Sequence, residues 1–251
     1  MSGPLFARLI HSCSDKKQRS ALGQNSIGRV GQISIGVNNS GGLWESYDIK
    51  QVCNFPRFIQ DQAIRDLTFQ FYNERKLQYA QAKPHAGYRA IAKLQQSQSI
   101  KVITSNIDLL HEAAGTLDVL HLHGRIDQMS CADCFHYWDI AEQAFEPIEC
   151  PACSSAMVKP GIVFFGEMAP EYEALHWLIH GLNSDDSFII VGTSLNVVDP
   201  IAMIRAAGRH PQIVYIDKHI PDLLKKSGVI CIENGAEQGL LEWIANMSAA
   251  E

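Results

Sequence analysis

Apolar positions along the chain follow two different rules. From Pro56 to Ala82, the residues Phe58, Ala63, Ile64, Leu67, Phe71 and Leu77 recur at helical spacing, and Pro84 closes the stretch. HAGYRAIAKLQQ, starting at His85, predicts a second helix. Elsewhere the apolar residues run consecutively. IKVITSN, SFIIVGTS, QIVYIDKH and GVICIEN are short, β-branched segments of the kind buried on both faces of a sheet. Helical stretches, PIAMIRAAGRH and EQGLLEWIANM, separate the second from the third and follow the last. Apolar strands alternating with helices predict an α/β fold, a parallel sheet with helices on both faces. Such sheets bind ligands at the carboxyl ends of their strands. The polar residues after KVI, IIV and IVYI are therefore the first candidates for chemistry.

Between the first two of these strands the pattern changes. Residues 127–160 hold four cysteines, few branched aliphatics and three prolines, and predict a small inserted module. KPGIVFFGE follows as a strand expected to return to the main body. No strongly apolar strand is evident ahead of residue 42.

Composition narrows the class. Hydrophobic residues make up 46% and charged residues 19%, which suits a packed core. The formal net charge of −6 argues against direct nucleic-acid binding, which needs a basic surface to displace phosphate counterions. The apolar runs fall far short of the ~20 residues of a membrane span. The first twenty residues are basic, but Pro4 and SDKKQRS spoil the amphipathic pattern of a transit peptide. Of seven cysteines, four form two C-x-x-C pairs, which suits a metal site in a reducing, cytoplasmic setting better than a disulfide framework.

Cys131-x-x-Cys134 and Cys150-x-x-Cys153 are separated by fifteen residues. Each pair lets two thiolates reach one tetrahedral ion, and zinc is the usual occupant. Four thiolates leave no open position, so the metal is expected to be structural. His123 stands just ahead of the first pair and is not needed as a ligand. It could be a buried structural histidine or a catalytic base; His121, two residues earlier, shares one side of a strand with it. Asn106 and Asp108, also two apart, could face a ligand together or merely cap the helix that follows. Gly192, Thr193 and Ser194 form a turn that could approach a phosphate, though such turns are common after parallel strands. Tyr72 and Arg75, three apart, share one helix face.

In order, these stretches resemble a sirtuin, an NAD-dependent protein-lysine deacylase. The resemblance rests on TSNIDLLHEAAG, His123-Gly124, CPACSSAMVKPGIVFFGE and GTSLNVVDP, and it runs from Gly42 to Met247. It implies one sirtuin-type domain over residues 1–251. Its Rossmann-like part would span about 1–45, 86–126 and 161–251, its helical part 46–85 and its zinc module 127–160. In this family the acyl-lysine carbonyl oxygen attacks the nicotinamide ribose carbon and expels nicotinamide. His123 matches the general base that takes a ribose hydroxyl proton, and the products are free lysine, nicotinamide and O-acyl-ADP-ribose. Ser105, Asn106 and Asp108 match the ribose and nicotinamide side. Gly192, Thr193, Ser194, Asp217 and Ala236 match the adenosine side. Val163, Phe165 and Gly166 lie on the strand that pairs with the acylated-lysine protein substrate. Tyr72 and Arg75 are similar to the Tyr-x-x-Arg of the class that removes succinyl and malonyl groups. A guanidinium gripping a carboxylate beside a phenol explains that preference.

One signature departs. The family's strand, G-A-G-x-S loop and Pro-x-Phe-Arg loop should precede GLW. Here the interval reads ALGQNSIGRVGQISIGVNNSGGLW, and Ser105 replaces the family's glutamine. The match resumes abruptly at Gly42, as a shifted reading frame would produce, and the nucleotide sequence tests that account. As written, the interval predicts a damaged phosphate cradle, weaker NAD binding, and as an alternative function a sirtuin-fold protein that binds acyl peptides or partners without turnover.

Overall fold

The computed structural model describes residues 7–11, 47–193, 195 and 197–250. Cys13, Ser194 and the interval Ala21–Trp44 lie outside the described residues. The described strands are β1 (Ala7–His11), β2 (Ile100–Thr104), β3 (Val119–His121), β4 (Gly124–Cys131), β5 (Tyr137–Asp139), β6 (Val158–Ile162), β7 (Ser187–Val191), β8 (Gln212–Asp217) and β9 (Ile230–Glu233). The helices are α1 (Ile49–Val52), α2 (Phe55–Gln60), α3 (Gln62–Tyr79), α4 (Ala86–Leu94), α5 (Leu110–Ala113), α6 (Glu171–His180), α7 (Pro200–Ala206), α8 (Asp222–Lys225) and α9 (Ala236–Ala250).

Six strands form one sheet in the order β3-β2-β1-β7-β8-β9, and every pairing is parallel. With the small sheet set aside, this is the doubly wound order 3-2-1-4-5-6. The order reverses between β1 and β7, and the crevice at their carboxyl ends is the expected ligand site. A strand, β1, does precede residue 42, although it is not the strongly apolar one that the sequence pattern lacks. ARLIH is short and only partly apolar, and its backbone pairs on both sides, with β2 and with β7. A central position, invisible to local pattern, makes it a strand.

Alternate residues of each strand feed two different cores, as a pleated sheet with both faces covered requires. Phe188, Ile190 and Tyr215 join Leu175 and Ile179 of α6 and Ile201 and Ile204 of α7. Ile189, Val191, Val214 and Ile216 join Ile91 of α4 and Leu240 and Trp243 of α9. A third core holds Val52, Phe58, Phe71 and Tyr72 of the helical region together with Ile126, Met129, Val158 and Phe164.

The predicted long helix is two. Asp61 has extended backbone (φ −128°, ψ 116°), ends α2, and caps α3 through its side chain on Ala63 N. An aspartate that bonds forward to the backbone competes with helix continuation. The returning strand also differs from expectation. β6 stays in a second, three-stranded sheet, antiparallel to β4, in the order β5-β4-β6. The expected join at residue 161 therefore falls inside β6. The two strands cross closely at Gly124, where φ is +80° and a Cβ would lie 2.0 Å from the Gly161 carbonyl oxygen. Only glycine fits there.

Candidate active site

The residues singled out from the sequence gather along one edge. Ser105, Asn106 and Asp108 follow β2; His123 follows β3; Gly192 and Thr193 follow β7; Asp217 ends β8; Ala236 opens α9. Parallel strands all present their carboxyl ends to the same side, so segments more than a hundred residues apart in sequence meet there.

Gly192 adopts φ +62°, and its N–H donates to Ile216 O at 2.8 Å. The Thr193 carbonyl accepts from the Tyr215 hydroxyl, and its own hydroxyl accepts from Leu195 N at 3.2 Å. The turn after β7 is thus held open against β8. Asp217 Oδ1 accepts from His219 N at 2.9 Å.

Asp108 is 2% exposed, and its Oδ1 accepts from Leu110 N at 3.1 Å. Its Oδ2, and both amide atoms of the 1% exposed Asn106, have no hydrogen-bond partner among the described residues. Helix capping therefore accounts for half of Asp108 and none of Asn106. Buried polar atoms without partners are costly, about 1–3 kcal/mol each, so these atoms call for partners that the described residues do not supply. Burial pushes the Asp108 carboxyl up to about 6, against the opposing pull of the Leu110 amide and of His121.

The two histidines have opposite surroundings. His121 Nδ1 faces Asn106 O at 3.1 Å and Nε2 faces Glu112 Oε1 at 2.8 Å. Both partners are acceptors, so no donor faces either ring nitrogen of His121. His123 Nδ1 faces Ser105 O at 3.1 Å, and Nε2 faces the hydroxyl of Tyr172 at 2.9 Å. A carbonyl cannot donate, so Nδ1 carries the hydrogen and Nε2 the lone pair. Burial lowers the His123 pKa and favours this neutral form. Of the two, His123 is the one equipped to act as a base near neutral pH. Its backbone carbonyl also accepts from Val163 N at 2.9 Å, which ties it to the connection that follows β6.

The four thiols form a separate centre. The Sγ atoms of Cys131, Cys134, Cys150 and Cys153 all lie within 4.8 Å of one another, two of the pairs at 3.6 Å. Zinc–sulfur bonds of about 2.3 Å in a tetrahedron put the sulfurs roughly 3.8 Å apart, so the set fits the ion. The hooks are built alike: Phe135 N donates to Cys131 O and Ser154 N to Cys150 O, with φ +59° at both Phe135 and Ser154. Both His123 nitrogens are engaged elsewhere, which removes it from the ligand set.

The segment carrying Val163, Phe165 and Gly166 lies beyond the end of β6, outside any described strand, and bridges to Asn54 at Phe165. Phe165 N donates to Cys53 O at 2.7 Å, and Phe165 O accepts from Phe55 N at 2.9 Å. A cleft of about 380 Å³ opens beside Val163, lined also by Gly124, Arg125, Tyr137 and Glu171.

The Sir2 family pattern matches residues 35–199. The chain belongs to the Sir2 family. A Helicobacter hepaticus protein named NAD-dependent protein deacylase is 35% identical over 194 residues, covering 70% of this chain and 75% of that protein. NAD-dependent protein deacylase 1 of Pseudomonas aeruginosa is 38% identical over 174 residues, covering 65% and 67%. A solved Sir2 homologue–NAD complex superimposes with a TM-score of 0.68 at 24% identity, covering 83% of this chain and 80% of that one. A Sir2-type protein bound to a myristoylated histone peptide superimposes with a TM-score of 0.57 at 24% identity, covering 80% and 87%. These likenesses establish the Sir2 fold.

Within that fold, Tyr72 and Arg75 are buried at 1% and 3% exposure, on the inner side of α3. The Tyr72 ring stacks on Phe164 at 5.8 Å between centroids, and its hydroxyl lies 3.0 Å from Cys53 Sγ. Burial lowers the Arg75 guanidinium to about 10.

Sequence reasoning missed three residues here. Tyr172, on the Nε2 of His123, lies in a stretch to which the sequence reading assigned nothing. Cys53 had no partner pattern. Lys159 is 2% exposed and pairs with Glu167 at 3.1 Å, while Glu167 also accepts from Phe164 N at 2.6 Å. Lys159 and Glu167 are the two ends of KPGIVFFGE, but nothing in the motif marked them as a pair.

Proposed function

We propose that this chain is an NAD-dependent protein-lysine deacylase. The observation that carries it is the state of His123, a buried neutral imidazole with its lone-pair nitrogen on the carboxyl edge of a doubly wound sheet. NAD, when bound, supplies the electrophilic ribose carbon and the ribose hydroxyls. The orphaned atoms of Asn106 and Asp108 would hold its ribose and nicotinamide side, and Ser105 flanks them. Gly192, Thr193, Ser194, Asp217 and Ala236 would hold the adenosine side. His123 Nε2 would take a ribose hydroxyl proton, and Ser105 O keeps the ring in the tautomer that allows it. The four-thiolate centre would hold zinc as a brace for the small sheet and leaves no position for substrate.

An acylated-lysine protein segment would lie in the cleft beside Val163. The main-chain groups of Phe165 are bonded to Cys53 and Phe55 and the Val163 N–H to His123, so pairing with the peptide would use the Val163 carbonyl and the main chain of Gly166. Tyr72 and Arg75 support a preference for acyl groups ending in a carboxylate: a desolvated guanidinium gains most from an anion. Such a carboxylate would compete with Cys53 for the Tyr72 hydroxyl. The reduced thiols suit a cytoplasmic setting, and no described helix is long and apolar enough to cross a membrane.

The test is nicotinamide release from NAD with acetyl- and succinyl-lysine peptides, with His123→Ala as control. Release that depends on the acyl peptide, with product formation lost in His123→Ala, is expected. A second reading, an acyl-peptide-binding protein without turnover, is favoured by the sequence of Ala21–Trp44, which lacks the G-A-G-x-S loop. Peptide binding with no NAD-induced rise in melting temperature would select it.

A further inference from the structure

We propose that the Tyr172 phenol occupies the base nitrogen of His123 in the ligand-free protein and that a ribose hydroxyl must displace it. This rests on the deacylase reading above. A neutral imidazole has one lone pair, and here it lies on Nε2 because Nδ1 donates to Ser105 O. The Tyr172 hydroxyl lies 2.9 Å from that nitrogen and is the donor there. Burial raises the phenol's pKa, so it keeps its proton throughout the working range of the enzyme.

The phenol is set in place by the fold. Tyr172 is the second residue of α6, whose Leu175 and Ile179 are fully buried against the main sheet, and its ring packs on the same cluster. The helix does not move without exposing that core. The phenol therefore leaves Nε2 by rotation of its own side chain. In place, it completes a two-point hold on the imidazole, with Ser105 O on one nitrogen and Tyr172 on the other. That hold fixes tautomer and ring plane before a ligand arrives. The same contact opposes the ligand, because the hydroxyl that is to lose its proton needs the lone pair Tyr172 covers. Tyr172 acts through His123 and is a positioning residue.

Tyr172→Phe removes the hydroxyl and leaves the ring in its apolar contacts. ADP-ribose carries the competing hydroxyls, and its binding is read by calorimetry without turnover. Four zinc-loaded proteins are compared: wild type, Tyr172→Phe, His123→Ala and the double variant. Tyr172→Phe is expected to bind ADP-ribose about fivefold more tightly, the equivalent of one net hydrogen bond of about 1 kcal/mol. On the His123→Ala background the same substitution is expected to change nothing, since no lone pair remains to contest. In turnover, kcat/KM for NAD in O-acyl-ADP-ribose formation rises by the same factor. Equal or weaker binding by Tyr172→Phe overturns the inference, as does an equal gain on both backgrounds or ADP-ribose binding to none of the four. Wild type that binds ADP-ribose but releases no nicotinamide from NAD sinks the deacylase reading instead.

Discussion

Asp108 should be a site where function opposes stability. Its carboxyl is 2% exposed and is pushed up to about 6 by burial, from 3.8 in water. The folded protein therefore holds the Asp108 proton more tightly than the unfolded chain does. Stability falls as pH rises between those two values, because the folded state must bury a charge that the unfolded state leaves in water. At pH 8 the difference corresponds to about 3 kcal/mol, and at pH 5 to about 1.5 kcal/mol. Asp108→Asn keeps an oxygen for the Leu110 N–H and removes the charge. The variant should be more stable than wild type by about 3 kcal/mol at pH 8, roughly 6–12 °C in melting temperature for a chain of this size. At pH 5 the gain should halve. Denaturant unfolding of both zinc-loaded proteins at the two pH values measures it, and NAD affinity should fall in the same variant. A gain that does not grow with pH, or a loss of stability, would refute the claim that Asp108 is a desolvated carboxylate awaiting a ligand.

Other outcomes follow from the same geometry. Cys150→Ser should lower bound zinc below one per chain by metal analysis. It should also loosen the small sheet, because Cys131 and Cys150 belong to the core that contains Met129 and Val158. Arg75→Met should cut activity on succinyl-lysine relative to acetyl-lysine by about 10- to 100-fold, the worth of charge-assisted hydrogen bonds, in a paired-substrate assay. An unchanged ratio removes Arg75 from acyl recognition. The rate of O-acyl-ADP-ribose formation should rise with pH through a midpoint below the ordinary histidine value of about 6.5, because burial lowers the His123 pKa and the base acts when neutral. A midpoint above that value contradicts the desolvated ring.

The strands Ser187–Val191 and Gln212–Asp217 were legible from their apolar runs, because a strand buried on both faces has few polar positions to spare; Ile100–Thr104 and the edge strand Ile230–Glu233, whose ends are exposed, were legible from their β-branched residues. The cysteine hooks were legible for a chemical reason: two thiolates three apart reach one ion regardless of the surrounding fold. The strand Ala7–His11 was not legible, since its evidence is two neighbouring strands and not its own residues. The break at Asp61 escaped a periodicity that continues in phase on either side of it.

What the sequence determined by itself was the class of fold, the four metal-binding thiols and the residue types that follow each strand. These depend on spacing along the chain, and spacing survives without coordinates. The tertiary structure decided which histidine faces a hydroxyl. His121 and His123 are two residues apart with the same side chain, and they differ only in what faces each nitrogen: Glu112 for one, Tyr172 for the other. A proton's position depends on neighbours brought from 9 and 49 residues away, and only the folded chain supplies them.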